Sequence, residues 1–254
     1  MLVSIITVCY NSEKTIARTI ESVLNQTYKN IEYIIVDGCS TDSTLDIVNS
    51  YAEAFNDKGI NLKVVSEKDN GIYDAMNKGI RIANGEIVGI INSDDWYEPI
   101  AVETVADAYR RTNFVLYYAD LNMWQEKLDS NGDSTLELKM VKHSAFRSPV
   151  VSRDWNHPTT FITKAAYDEL GLYKCESLHD DWDLVLRIRR AGKKVVVENK
   201  ILANFTLNGV SHDKSVSKAI SRGKERYRIY RNNGYSRLYF IECVAIEVAK
   251  AILA

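Results

Sequence analysis

No charge of one sign dominates this chain: 32 Lys+Arg stand against 34 Asp+Glu in 254 residues, a formal net charge of −2. The global field therefore does not favour nucleic acid or any other polyanion, and an anion site has to be local. The four cysteines, Cys9, Cys39, Cys175 and Cys243, include no C-x-x-C pair. That pattern argues against a zinc knuckle and a disulfide framework and predicts a reducing, cytoplasmic setting. No apolar run reaches the roughly 20 residues that span a bilayer. The opening "MLVSIITVCYN" lacks a basic leader segment and turns polar early, so it reads as a first strand and not as a signal peptide. Internal repeats and low-complexity tracts are absent. So are a G-x-G-x-x-G loop and a P-loop lysine motif, which counts against a dinucleotide enzyme and a P-loop phosphotransferase.

What is present is enough apolar material for a real core. Hydrophobic residues make up 46% of the chain and charged ones 26%, which excludes disorder as the main state. The first half alternates strands and helices: "LVSIITVCY", a helix that Ser12 can cap, "IEYIIVDG", the helix "TDSTLDIVNSYAEAF", "NLKVVSE", the helix "GIYDAMNKGIRIAN", then "EIVGIIN". Strands this apolar, alternating with helices, predict an α/β fold with a mostly parallel sheet covered on both faces. After Pro99 the pattern loosens into a helix near 100 to 111, the strand "FVLYYADL", a polar stretch with room for a hairpin, and the helix "DDWDLVLRIRRAG". This half is expected to complete the same domain.

Ligands in such sheets bind outside the carboxyl ends of the strands. Three polar strand ends, 9 to 11, 37 to 42 and 92 to 95, are therefore expected to open onto one crevice. Asp37 can reach donors on a ligand there, and either it or Asp42 can instead cap the next helix. Tyr10 with Asn11 offers a stacking surface and a helix-start residue, although Asn11 is also an ordinary turn former. Asp94 and Asp95 are adjacent acids at a strand end, and they repel unless a proton, a donor or a cation lies between them. They are hard oxygen ligands of the kind Mg²⁺ or Mn²⁺ accepts, and equally the kind of acids that stay solvated at a turn. In "HDDWDLVLRI", Asp183 can pair with Arg187 one turn on, whereas Asp181 has no obvious partner and starts the inward face, a geometry that suits a general base. Dipole stabilisation of the helix start explains the same acids without catalysis. Among His157, His179 and His212, His157 is the best placed for a direct role.

Together these stretches resemble the family 2 glycosyltransferases of the GT-A fold over about residues 1 to 212, through "SIITVCYN", "IEYIIVDGCSTDST", "EKDNGIYDAMNKGIRIANGEIVGIINSDDWYEP" and "HDDWDLVLRI". The middle stretch is most similar to bacterial enzymes that build capsular, colanic-acid-like or O-antigen polysaccharides. The resemblance implies a nucleotide-diphosphate sugar as donor, UDP being favoured, a saccharide or lipid-linked saccharide as acceptor, and transfer with inversion. It implies that Val8, Tyr10, Asp37, Gly71, Tyr73, Asn77 and Ser93 line the nucleotide and donor site, with Asp74 beside them. Tyr73 and Met76 are equally readable as core residues. It further implies that Asp94 binds Mn²⁺ or Mg²⁺ with Asp95 and His212 contributing, that Asp181 is the base, and that Trp182 and His157 meet the acceptor. The usual D-x-D is Asn92-Ser93-Asp94 here, so the first acid is an amide. A non-catalytic sugar-nucleotide-binding subunit is the alternative which that departure keeps open. A nucleotidyltransferase would need a glycine-rich basic loop that "CYNSEKT" does not supply.

Residues 213 to 254 are set apart as a basic, amphipathic helical extension. Its apolar face, in "LYFIECVAIEVAKAILA", calls for a cover: the inner face of the cytoplasmic membrane, the domain itself, or a second copy in a homodimer.

Overall fold

The computed structural model describes residues 1–128, 134–207 and 216–253. Its first hundred residues follow the expected alternation. Strand β1 (Val3–Cys9) leads to α1 (Ile16–Leu24), β2 (Ile31–Asp37), the short helices α2 (Thr44–Ser50) and α3 (Ala52–Asp57), β3 (Asn61–Ser66), α4 (Ile72–Ile82) and β4 (Ile87–Ile90). The single helix read across residues 41 to 55 is thus two, parted at Tyr51, whose hydroxyl donates to Glu21. Strands β3, β2, β1 and β4 lie side by side, all parallel. Every residue of β1, β2 and β4 is buried, as two covered faces require. In α1, Ile16, Ile20, Val23 and Leu24 recur at helical spacing and all are buried, each contributing about 1.5–3 kcal/mol relative to exposure.

The second half departs from a parallel sheet. It comprises β5 (Trp96–Tyr97), α5 (Ala101–Thr112), β6 (Leu116–Leu128), β7 (Ser134–Lys142), β8 (Phe161–Thr163), α6 (Lys164–Leu170), α7 (Asp180–Arg190), β9 (Val195–Thr206), α8 (Val216–Asn232) and α9 (Tyr239–Leu253). Strand β8 runs antiparallel between β4 and β6, β9 lies parallel to β6, and β5 and β7 pair antiparallel with β9 and β6. The sheet is therefore mixed, because the chain reverses at β8 and the hairpin β6–β7 occupies the polar stretch where a hairpin was expected.

The C-terminal helices dock on the domain. Tyr230 is fully buried in the core cluster that contains Trp182, with ring centroids 6.1 Å apart, and it stacks on Tyr239 at 4.2 Å. Tyr239 also accepts a hydrogen bond from the Val150 amide at 2.9 Å. Asp183 ties the same region together: it pairs with Lys174 at 3.0 Å and Arg187 at 2.9 Å and accepts from Asn233 at 2.8 Å. The domain itself thus covers Cys243 and part of Tyr239 and Ile246, while Leu238, Phe240, Ile241 and Val244 remain exposed. No helix among the described residues is long and apolar enough to cross a membrane.

Candidate active site

The three strand ends meet as expected, and hydrogen bonds stitch them together. The Asn11 amide donates to Ser40 Oγ at 2.8 Å, while Asn11 Oδ1 accepts from the Thr41 amide at 2.9 Å. Ser12 Oγ lies 2.8 Å from Ser93 Oγ, joining the first strand end to the third. That contact takes the hydroxyl read from sequence as a helix cap; α1 begins at Ile16 with no side-chain cap. Asp42 stands just ahead of α2, whose N-cap Ser43 makes no side-chain cap bond, and its Oδ1 accepts from the Thr44 amide at 3.0 Å.

Asp37 is fully buried, and its carboxylate is engaged by Ser40 and by Ser66 Oγ at 2.7 Å. It organises the loop instead of presenting an open carboxylate to a ligand. Gly38 follows because the loop is tight: a Cβ there would stand 2.6 Å from Asp69 Oδ2. Tyr10 is 62% exposed beside this loop, whereas Val8 is a core residue. Gly71 opens α4 at φ 112°, a conformation that favours glycine. Asn77 is 3% exposed and clamps Tyr173 through both amide atoms, so it braces α4 from within and presents no open face to a ligand. Tyr73 and Met76 also belong to the core, although the Tyr73 hydroxyl neighbours Asp181.

The acidic pair is divided by the fold. Asp94 is half-buried, and burial raises its carboxyl above the usual range. Asp95 is fully buried, with Oδ1 accepting from the Thr206 amide at 3.0 Å and Oδ2 unpartnered. Burial and then the charge of Asp94 push the Asp95 carboxyl well above its ordinary value. A cation does stand beside them, and it belongs to the chain: Arg18 donates to the Asp94 carbonyl at 2.8 Å, and its guanidinium lies 3.9 Å from the centroid of Trp96. Sequence reading missed Arg18, since nothing in α1 marks one arginine as facing a loop some 76 positions away. Among the described residues no group of three or more His, Cys, Asp or Glu forms a self-sufficient metal site. The half-buried Asp94 carboxylate suits a hard cation that takes its remaining ligands from elsewhere, whereas Asn92 Oδ1 and Asp95 Oδ2 are buried without a hydrogen-bond partner, which turns Asp95 away from the metal role its motif implied. His212 lies outside the described residues.

Asp181 stands at the start of α7 on a cavity of about 440 Å³. Burial raises its carboxyl above the ordinary range, opposed by His157 and by the Trp182 amide, which donates to Oδ1 at 2.7 Å. His157 lines the same cavity, and burial lowers its basicity against the pull of Asp181. Trp182 is 3% exposed, packed between Trp155 and Tyr230, so it forms the cavity wall and not an open stacking platform. Arg226 of α8 and Ile246 of α9 complete that wall. The segment read as a separate extension therefore contributes to the site.

Comparison with known proteins agrees with this architecture. Residues 4–170 match the family model described as Glycosyl transferase family 2. The chondroitin synthase of Escherichia coli is 30% identical over 244 residues, covering 93% of this chain and 33% of that protein. The UDP-Glc:alpha-D-GlcNAc-diphosphoundecaprenol beta-1,3-glucosyltransferase WfaP of Escherichia coli is 41% identical over 99 residues, 38% of this chain and 36% of that one. The chain thus spans about a third of the length of these curated relatives. Among solved structures, S. aureus TarS in complex with UDP-GlcNAc superposes with a TM-score of 0.67 at 21% identity, over 98% of this chain and 72% of TarS. A Pyrobaculum calidifontis mannosyltransferase in complex with GDP-Man and Mn²⁺ gives 0.66 at 16%, over 99% and 75%. The fold is the GT-A fold that the motifs implied.

Proposed function

The chain belongs to glycosyl transferase family 2, and from that premise we propose that it moves a sugar, with inversion, from a nucleotide-diphosphate donor to a saccharide or lipid-linked saccharide acceptor in bacterial surface polysaccharide synthesis. A UDP-sugar is the donor of first choice, by likeness to WfaP and TarS. The observation that carries the reading is Asp181: a carboxyl raised by burial, on a cavity, set apart from the stitched strand ends. In the proposed reaction Asp181 takes the proton of the acceptor hydroxyl as its oxygen bonds to the anomeric carbon. The bond from that carbon to the diphosphate breaks, and the nucleoside diphosphate leaves with the electron pair. Tyr10 offers its exposed ring to the base, and Asp37 fixes the loop that borders it. Asp94 would hold Mg²⁺ or Mn²⁺, whose charge offsets that of the departing diphosphate.

A non-catalytic sugar-nucleotide-binding subunit is the second reading, favoured by Asn92 in place of an acid and by the inward burial of Asp95. Membrane contact, if it supplies a lipid-linked acceptor, falls to Leu238, Phe240 and Ile241 beside Arg237, all exposed.

Thermal unfolding with UDP, GDP and CMP, each with and without Mn²⁺, tests the donor. A ligand present at 100 times its Kd stabilises by about 2.7 kcal/mol. UDP with Mn²⁺ is expected to raise the midpoint most; no shift with any nucleotide would sink the proposal.

A further inference from the structure

Three cationic side chains line the cavity beside Asp181, and each comes from a different part of the chain: Lys142 from β7, Arg153 from the turn before Trp155, and Arg226 from α8. Asp181 is the single acid among the described lining residues. The acids behind the arginines are shared. Asp154 stands between Arg147 at 2.7 Å and Arg153 at 4.0 Å, and Glu247 between Arg222 at 3.2 Å and Arg226 at 3.0 Å. Glu242 also faces Arg226, and burial pushes that carboxyl toward its protonated form. Lys142 donates to the Trp155 carbonyl at 3.0 Å. The remaining walls are aromatic and apolar, with Trp155, Trp182 and Phe205.

A neutral sugar asks for stacking faces and hydroxyl partners and gives no reason to gather guanidinium and ammonium groups around a base. An anion does, because charge-assisted bonds to a carboxylate or phosphate offset the desolvation of those cations. The donor diphosphate is the other anion in the reaction. Along β9, however, Phe205 lines the cavity while the next residue, Thr206, meets Asp95, so the strand has one side on the cavity and the other on the acidic pair.

Resting on the glycosyl-transfer reading above, we propose that the acceptor carries a negative charge close to its accepting hydroxyl, held by Arg153 and Arg226 in the cavity beside Asp181. The shared chemistry is a carboxylate or phosphate on a sugar ring, and the C-terminal helices are then part of acceptor recognition.

The test is binding by ligand-observed NMR to the full chain, with and without saturating UDP, of methyl β-glucuronide, glucose 1-phosphate and methyl β-glucoside. At least one acidic sugar is expected to bind about tenfold more tightly than the neutral glucoside with UDP present. The glucuronide alone would point to a uronate acceptor, the phosphate alone to a phosphorylated one. Arg153 is exposed, so Arg153→Gln should leave the melting temperature unchanged while removing most of that preference. Equal binding of all three sugars, loss of the preference once UDP is added, or a preference untouched in Arg153→Gln would each overturn the inference. UDP binding in the same samples reads the donor proposal separately. A chain that ignores nucleotides yet discriminates the acidic sugars keeps this site and loses that reaction.

Discussion

The strand-end crevice and the Asp181 cavity face the same proposed chemistry but are built in opposite ways. The crevice comes from consecutive βα units within the first hundred residues, its loops locked by the Asn11–Ser40, Ser12–Ser93 and Asp37–Ser66 contacts. The cavity is assembled from β6, β7, a turn, α7, β9, α8 and α9, with lining residues from Leu121 to Ile246. A local, repetitive construction gives a rigid rim that many chains can share. The assembled one leaves the cavity free to differ from chain to chain.

Replacing a residue on one side should leave the other side intact, and the largest such effect is expected at Asp94. Asp94→Ala should abolish the Mn²⁺-dependent part of UDP stabilisation, read as the thermal shift, while binding of the acidic sugars to the cavity persists. Asp183→Ala acts through stability. Removing one partner from a buried ion pair costs about 3–5 kcal/mol, so urea unfolding should show a large loss with α7 and the C-terminal helices loosened. If stability falls by under 1 kcal/mol, the anchoring described for Lys174, Arg187 and Asn233 is wrong.

Asp95→Asn should do little, and that sharpens the contrast with its neighbour. A carboxyl raised on folding contributes stability that is fully present below the unfolded value of about 3.9 and is lost as pH rises through the folded value. The amide keeps an oxygen for Thr206 and carries no charge, so Asp95→Asn should match or exceed the parent at neutral pH, within about 1 kcal/mol. A loss of Mn²⁺-dependent UDP binding equal to that of Asp94→Ala would restore Asp95 as a metal ligand. The smallest effect is at the surface. Leu238→Ser with Ile241→Ser should shift stability by no more than about 0.5 kcal/mol, yet reduce sedimentation with anionic vesicles if that patch meets a membrane.

The same contrast governs what could be read from the sequence. The βα alternation, the meeting of three strand ends, the pairing of Asp183 with Arg187 and the helix start at Asp181 were all legible, because each depends on periodicity or spacing within a few turns. The mixed sheet was not, because β8 enters between β4 and β6 through pairings 72 or more positions apart in the β4 register. Arg18 beside Asp94 and Arg226 in the cavity wall were hidden for the same reason. Asn77 and Trp182 were assigned to ligands from their motifs, but the structure turns one into a clamp on Tyr173 and the other into packing for Tyr230. Polar and aromatic residues in a motif can be retained for the shape of a site as well as for contact with its ligand.

The separation of the two sides is tested most directly by Asp181→Asn, with UDP affinity and sugar transfer measured on the same preparation. Removing a general base lowers transfer by about 10²–10⁴-fold, and UDP should bind as it does to the parent. In the parent, transfer should fall on the acid side through a carboxyl titrating above the ordinary aspartate value, a limb that the variant lacks. Transfer at the parental rate, or loss of UDP binding together with transfer, would contradict the account.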